Sequence, residues 1–196
     1  FAIKAVHPVG EYSRVLVTYR FENKEIYDVD FNASDSIKDQ EGTSTLSSVT
    51  TTYTYNTTDN RLDPSSGMDL SATWEFAGVG GTEKFSKYIL DSRHFWPWKW
   101  GTVFSAHGQV GYVHALNGDS DDVPIDERFF LGGIYSLRGF ESREVGPRDE
   151  FGDFIGGDTE AYFNFEYIFP LVKDLGLKGV TFFDVGNTWN SEDFLG

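Results

Sequence analysis

Apolar and polar residues alternate with a period of two along most of the chain. Between residues 160 and 169 every odd position is apolar or aromatic, whereas the even positions include Glu160, Asn164 and Glu166. Residues 68–76 alternate in the same way, with Trp74 on the apolar side. Because successive side chains of a strand point to opposite faces, this pattern predicts β-strands that each have one apolar face.

The alternation, together with the turn residues between segments, predicts about nine strands. They lie at residues 1–7, 12–22, 25–34, 45–58, 67–78, 84–96, 101–113, 157–169 and 178–187. Several reach about ten residues, the length of a tilted membrane strand, whereas strands of soluble proteins usually have about five or six. The predicted fold class is therefore all-β: a partial antiparallel transmembrane β-barrel, with residues 1–196 forming part of one barrel domain.

The connections between these strands differ strongly in length. Short turns are predicted at Asn23–Lys24, Pro97–Lys99 and Leu171–Lys178, and one long loop at about 113–156. Gly78–Glu83 is predicted to be a short turn as well, on the same side as the long loop. Barrels of the bacterial outer membrane have short periplasmic turns and longer extracellular loops. We therefore predict that Pro97 and Trp98 are periplasmic and that the long loop is extracellular.

Composition narrows the classes of protein that fit this pattern. The chain is acidic, with 31 Asp and Glu against 16 Lys and Arg, which argues against nucleic acid as a partner. Mean hydropathy is -0.36, and no apolar run approaches the roughly 18 residues of a membrane helix. Aromatic residues make up 17% of the chain, as expected for a barrel with aromatic girdles in contact with a lipid bilayer.

Trp96, Trp98 and Trp100 surround the predicted turn at Pro97. One interpretation is a buried aromatic cluster beside a β-turn. The interpretation we favour is an interfacial girdle, in which indole rings lie at the depth of the lipid headgroups.

The sequence contains little that indicates catalysis. Cysteine is absent, the four histidines lack metal-ligand spacing, and no pairing of a nucleophile with a base is apparent. The glycine-rich stretch at 129–140 lacks the Gly-Lys-Ser/Thr ending of a phosphate-binding loop. We therefore expect no enzymatic activity, no cofactor and no bound metal.

The stretch from Phe129 to Phe140 resembles the barrel domain of the BamA-type outer-membrane assembly family. Members of that family carry Arg-Gly-Phe at the tip of their longest extracellular loop, which folds back into the lumen, and this triplet is Arg138-Gly139-Phe140 here. Three further blocks match in the order of the family. They are a periplasmic hairpin at 56–67, a strand with an inward Glu at 163–167, and Phe-x-Asp-x-Gly at 182–187.

The resemblance implies that Arg138 binds acidic partners inside the lumen. The period-two count points Glu166 and Asp184 inward on adjacent strands. An arginine that leaves bulk water needs carboxylates to receive its donors, so the two acids are expected to hold the loop. The alternative is that both acids simply line a wet lumen.

The function that the resemblance implies is assembly and insertion of outer-membrane β-barrel proteins in the bacterial cell outer membrane. The expected partners are unfolded client proteins and the accessory lipoproteins of an assembly complex. The intact barrel is expected to have sixteen strands, with terminal strands and periplasmic POTRA domains absent from this chain.

Two other functions stay open at this point. A two-partner-secretion transporter shares the Arg-Gly-Phe loop but exports one dedicated substrate, and a passive porin or receptor would use the loop as a plug or a ligand platform. Because an open sheet leaves unpaired edges, a fragment of this length is also expected to self-associate.

Overall fold

The computed structural model describes residues 1–28, 38, 40–118 and 122–191. In these residues eight strands form one antiparallel sheet in chain order. The strands are β1 (Ala2–Pro8), β2 (Ser13–Ile26), β3 (Gly42–Asn56), β4 (Gly67–Ala77), β5 (Phe85–Pro97), β6 (Val103–Ala115), β7 (Thr159–Val172) and β8 (Leu177–Trp189). The predicted all-β class and antiparallel arrangement are confirmed.

Each strand pairs with the next one along the chain, and the pairing is long. The β2–β3 ladder alone runs from Ser13 opposite Tyr55 to Ile26 opposite Gly42. Within the described residues, β1 and β8 each pair on one side only, so the sheet is open. This is the arrangement expected of a barrel segment.

The two faces of the sheet show an inverted distribution of polarity. Phe163 and Phe165 on one face of β7 are 45% and 49% exposed, whereas Glu160 and Asn164 on the other face are buried. A soluble sheet hides its apolar face and exposes its polar face. The inversion fits a wall with lipid outside and a polar lumen inside.

The predicted strand at 25–34 and the predicted turn at Asn23–Lys24 need correction. The structure continues β2 without interruption to Ile26, so Asn23 and Lys24 lie within a strand. Lys24 faces the lumen, where its Nζ lies 3.1 Å from Oε2 of Glu83. Because lumen-facing residues and turn residues are both polar, the sequence alone did not separate them. Residues 29–34 lie outside the described part of the chain, and eight strands are described rather than about nine.

Loop lengths differ between the two ends of the sheet. The turns at 9–12, 57–66, 98–102 and 173–176 lie at one end, whereas the long loop at 116–158 lies at the other, together with the shorter connection at 78–84. The loop thus starts and ends slightly later than the predicted 113–156. No helix among the described residues is both long enough and apolar enough to cross a membrane.

The long loop folds back onto the polar face and buries apolar side chains there. Loop residues Val123 and Phe129 pack with wall residues in one cluster, which contains Leu46, Ala77, Phe85 and Val113. A second cluster joins Leu131, Leu137 and Val145 of the loop to Tyr162 of β7. The apolar residue Phe85 on the inner face of β5 is thus a packing site for the loop.

Candidate functional site

The tip of the long loop is a compact segment, residues 133–140, that carries Arg138. The amide N–H of Gly133 donates to the carbonyl oxygen of Phe140 at 3.0 Å, which closes this segment. Gly139 has φ +95°, a conformation that residues with a Cβ rarely adopt. A glycine directly after Arg138 therefore lets the chain reverse immediately beyond the guanidinium.

Arg138 binds two carboxylates on adjacent strands. Its Nη1 donates to Oε1 of Glu166 on β7 at 2.6 Å, and its Nη2 donates to Oδ1 of Asp184 on β8 at 2.6 Å. Its Nε and its backbone N–H both donate to Oδ2 of Asp184, at 2.8 and 3.0 Å. The structure therefore brings together Arg138, Glu166 and Asp184, with Asp184 engaging both the side chain and the main chain of the tip.

Two residues that sequence analysis did not single out complete this contact. The ring of Phe182 lies 3.8 Å from the guanidinium carbon of Arg138 and stacks beneath it. Nδ2 of Asn164 donates to the carbonyl oxygen of Ser136 at 2.6 Å. Phe182 shares the parity of Asp184, and Asn164 that of Glu166, so alternation alone could have identified both as inward residues.

The electrostatics of the site favour a permanently charged Arg138. Its hydrogen bond to Asp184 raises the guanidinium pKa; partial burial opposes this rise, and Glu166 adds to it. The carboxylate of Asp184 is almost fully covered, with 4% of its side chain exposed. A charge-assisted bond with two parallel donors in a partly dry site is among the stronger polar contacts in proteins.

A buried histidine lies on the wall beside this site. Nε2 of His107 is 2.6 Å from Oδ2 of Asp91, and Nδ1 is 3.0 Å from Oδ1 of Asn164. Because Asn164 also holds the carbonyl of Ser136, the polar network of the wall continues into the loop tip. In the part of the chain that the structure describes, no group of three potential metal ligands converges.

The part of the loop that precedes the tip makes a separate set of ionic contacts. We call residues 122–130 the first arm and residues 131–157 the second arm. In the first arm, Oε1 of Glu127 accepts from Nη2 of Arg20 at 2.7 Å, and the backbone oxygen of Glu127 accepts from Nζ of Lys87 at 2.8 Å. No sequence signal separates Glu127 from the other 30 acidic residues, so this contact is visible only in the structure.

The remaining predicted site residues are not part of the ionic cluster. Phe140 follows the tip with 58% of its surface exposed. Trp96, Trp98 and Trp100 lie at the β5–β6 turn and are 51%, 57% and 80% exposed, at the end with the short turns. Their exposure beside an apolar outer face is the arrangement that an interfacial girdle requires.

An open antiparallel sheet with an apolar outer face and a long loop bound to its polar face defines a segment of an outer-membrane β-barrel. Residues 1–193 match the Omp85 superfamily domain, and the chain belongs to that family. Its location is the bacterial outer membrane.

Individual relatives agree with this assignment. The chain is 40% identical over 192 residues to the outer membrane protein assembly factor BamA of Nitratidesulfovibrio vulgaris. The aligned region covers 96% of this chain and 24% of that protein. It is 34% identical over 148 residues to a SAM50-like protein of Schizosaccharomyces pombe, covering 72% of this chain and 30% of that protein. The chain thus spans 24% to 30% of the length of these relatives.

The fold also matches a solved structure of the family. The crystal structure of BamA from Haemophilus ducreyi lacking POTRA domains 1-3 superimposes with a TM-score of 0.81. The match covers 99% of this chain and 42% of that one, at 18% identity. At that identity the likeness shows the fold alone.

Proposed function

We propose that the protein carrying this chain assembles and inserts β-barrel proteins into the bacterial outer membrane. The chain supplies a stretch of barrel wall and the long loop that folds back into the lumen. Its clients are unfolded outer-membrane proteins, and no covalent chemistry is part of the proposal.

The observation that carries the proposal is the attachment of Arg138 to Glu166 and Asp184. The contact fixes the tip of an extracellular loop on the inside of the wall, at the strands β7 and β8. A passive pore has no need of a loop held by paired charges on two strands. An assembly barrel does need a defined internal structure while client strands form beside it, and the relatives named as assembly factors support this use.

Depletion of the complete gene product tests the proposal. We expect the amounts of many unrelated barrel proteins in the outer membrane to fall together, and their unfolded forms to accumulate in the periplasm. Re-expression of the parent protein should restore them, whereas the Arg138→Glu variant should not. Loss of one secreted protein with normal levels of other barrels would instead indicate a dedicated secretion transporter and would contradict the proposal.

We also propose that accessory lipoproteins bind the complete protein to form an assembly complex. Purification of the tagged protein from mild detergent, followed by mass spectrometry, should yield lipoproteins in constant ratio to it. Recovery of the protein alone after cross-linking in intact cells would contradict this.

The isolated segment 1–196 is expected to self-associate through its sheet edges. In the described residues β1 and β8 each have one unpaired edge, and lipid cannot satisfy backbone donors and acceptors. Light scattering in detergent should show dimers or larger species. A monodisperse monomer would contradict the expectation.

A further inference from the structure

We propose that Glu127 is a second anchor of the long loop, which holds the first arm to strands β2 and β5 independently of Arg138. The inference concerns how the loop is positioned inside the wall. It rests on the proposed function in one respect, namely that the position of the loop matters for insertion.

Glu127 is almost completely covered and is bound from two sides. Its side chain is 7% exposed, with Oε1 accepting from Nη2 of Arg20 at 2.7 Å and Oε2 lying 3.4 Å from Nζ of Lys87. The same Lys87 ammonium donates to the backbone oxygen of Glu127 at 2.8 Å and lies 4.9 Å above the ring of Phe129. One residue of the loop thus connects two strands that are not neighbours in the sheet.

The wall around Glu127 is built to receive a carboxylate from the loop. Nη2 of Arg20 is also 2.8 Å from Oε1 of Glu75, and Nζ of Lys24 lies 3.8 Å from Glu127 and 3.1 Å from Glu83. Three wall cations therefore face two wall carboxylates, and the loop adds the buried Glu127 together with the more exposed Asp126, which pairs with Lys24. Without Glu127, Arg20 and Lys87 would each lose a covered carboxylate, which is costly.

The two anchors are separate in structure. The partners of Glu127 lie on β2 and β5, whereas the partners of Arg138 lie on β7 and β8. The apolar contacts lie in different clusters, with Val123 and Phe129 of the first arm in one and Leu131 and Leu137 of the second arm in the other. The arms touch each other at the backbone pair Phe129–Gly157 and where Arg143 lies over the ring of Phe130. Because neither contact involves Glu127 or Arg138, release of either anchor is expected to leave the other in place.

The chain contains no cysteine, so an introduced thiol reports on one position. We would place Val123→Cys in the first arm and Leu137→Cys in the second, both at buried sites. The complete gene product, with any cysteine elsewhere replaced by serine, would be expressed in intact cells. The rate of labelling by a membrane-impermeant maleimide then measures how often each arm leaves the wall.

Glu127→Gln should raise the labelling rate of the Val123→Cys reporter at least about tenfold and leave that of the Leu137→Cys reporter within about twofold. Arg138→Ala should produce the reverse pattern. Lys87→Met, which removes a partner from the wall side, should act on the first-arm reporter in the same direction as Glu127→Gln.

The matched control is Asp126→Asn. Asp126 neighbours Glu127 and pairs with Lys24, but its side chain is 52% exposed, so its loss should change either rate by less than about twofold. Equal labelling in Glu127→Gln and in the parent would overturn the proposal. Simultaneous exposure of both reporters by either single variant would overturn the independence of the anchors.

The same cells allow the two proposals to be judged separately. If Glu127→Gln releases the first arm while other barrel proteins still assemble normally, the anchor stands and the link between loop position and insertion fails. If assembly of other barrels fails while the labelling rates stay at the parent level, the anchor is wrong and the proposed function is unaffected.

Discussion

The two arms of the long loop bind the same inner face with opposite charge. In the first arm the loop supplies a carboxylate, Glu127, and the wall supplies cations on β2 and β5. In the second arm the loop supplies a cation, Arg138, and the wall supplies carboxylates on β7 and β8. Each arm is also covered by its own small apolar cluster.

The difference explains how a loop of more than forty residues takes one position. Apolar packing alone would tolerate a loop that shifts along the wall, because hydrophobic contacts have no direction. With the charges reversed between the arms, a shifted loop would place Arg138 toward Arg20 and Lys87, or Glu127 toward Glu166 and Asp184. Juxtaposed like charges are unfavourable, so the charge pattern selects the position while apolar burial supplies much of the affinity.

Charge reversal in the second arm should have the largest effect on the attachment of the loop to the wall. Arg138→Glu places a third carboxylate beside Glu166 and Asp184, and loss of a buried pair typically costs about 3–5 kcal/mol. We expect the variant to lose its compact migration in unheated gels and to become sensitive to external protease near residue 138. Arg148→Glu, at an exposed position of the same arm, is the control, and equal behaviour of both variants would refute the charge argument.

A smaller effect is expected from the ring beneath Arg138. Phe182→Leu keeps an apolar side chain but removes the aromatic face 3.8 Å from the guanidinium, a contact worth about 0.5–2 kcal/mol. The second arm should open more often, as measured by thiol labelling at Leu137→Cys, and the first arm should not change. The control is Phe183→Leu, which alters the neighbouring residue on the lipid side. If Phe183→Leu raised the labelling rate at Leu137→Cys by a similar amount, the effect would not come from the stacked ring.

The smallest effect is expected far from both arms, in the turn at 57–66. Oδ1 of Asp59 accepts from the backbone N–H groups of Ser65 and Ser66, and its Oδ2 from the hydroxyl of Ser65. These bonds, led by that of the Ser65 hydroxyl, lower the pKa of Asp59 below its ordinary value. The carboxylate therefore adds stability above about pH 4, and this contribution is lost as the pH falls further.

The measurement for Asp59 is the urea midpoint of the complete protein in detergent at pH 6 and at pH 3. Asp59→Asn should lower the midpoint at pH 6 and reduce the difference between the two pH values. Labelling of the two loop reporters should stay at the parent rate. A change at either reporter would mean that the turn communicates with the loop, and the comparison of two independent arms would have to be revised.

Much of the fold could be read from the order of residues. The alternation at 160–169 and 68–76 predicted the strands and their two faces, because a strand has a fixed side-chain period of two. It misread Asn23 and Lys24 as a turn, since a lumen-facing lysine and a turn residue have the same polarity. The ion pair between Lys24 and the carboxylate of Glu83, which only the structure shows, identifies Lys24 as a lumen-facing strand residue.

The chain itself determined that Arg138 follows a loop segment rich in glycine and that Glu166 and Asp184 share an inward parity. Together with the resemblance to the family, these positions predicted one anchor and its chemistry. Tertiary structure alone decided the other, because Glu127 meets Arg20 across 107 positions of sequence and Lys87 across 40. Local periodicity contains no information about which distant wall a loop will reach, and that choice depends on how eight paired strands curve to bring their polar faces together.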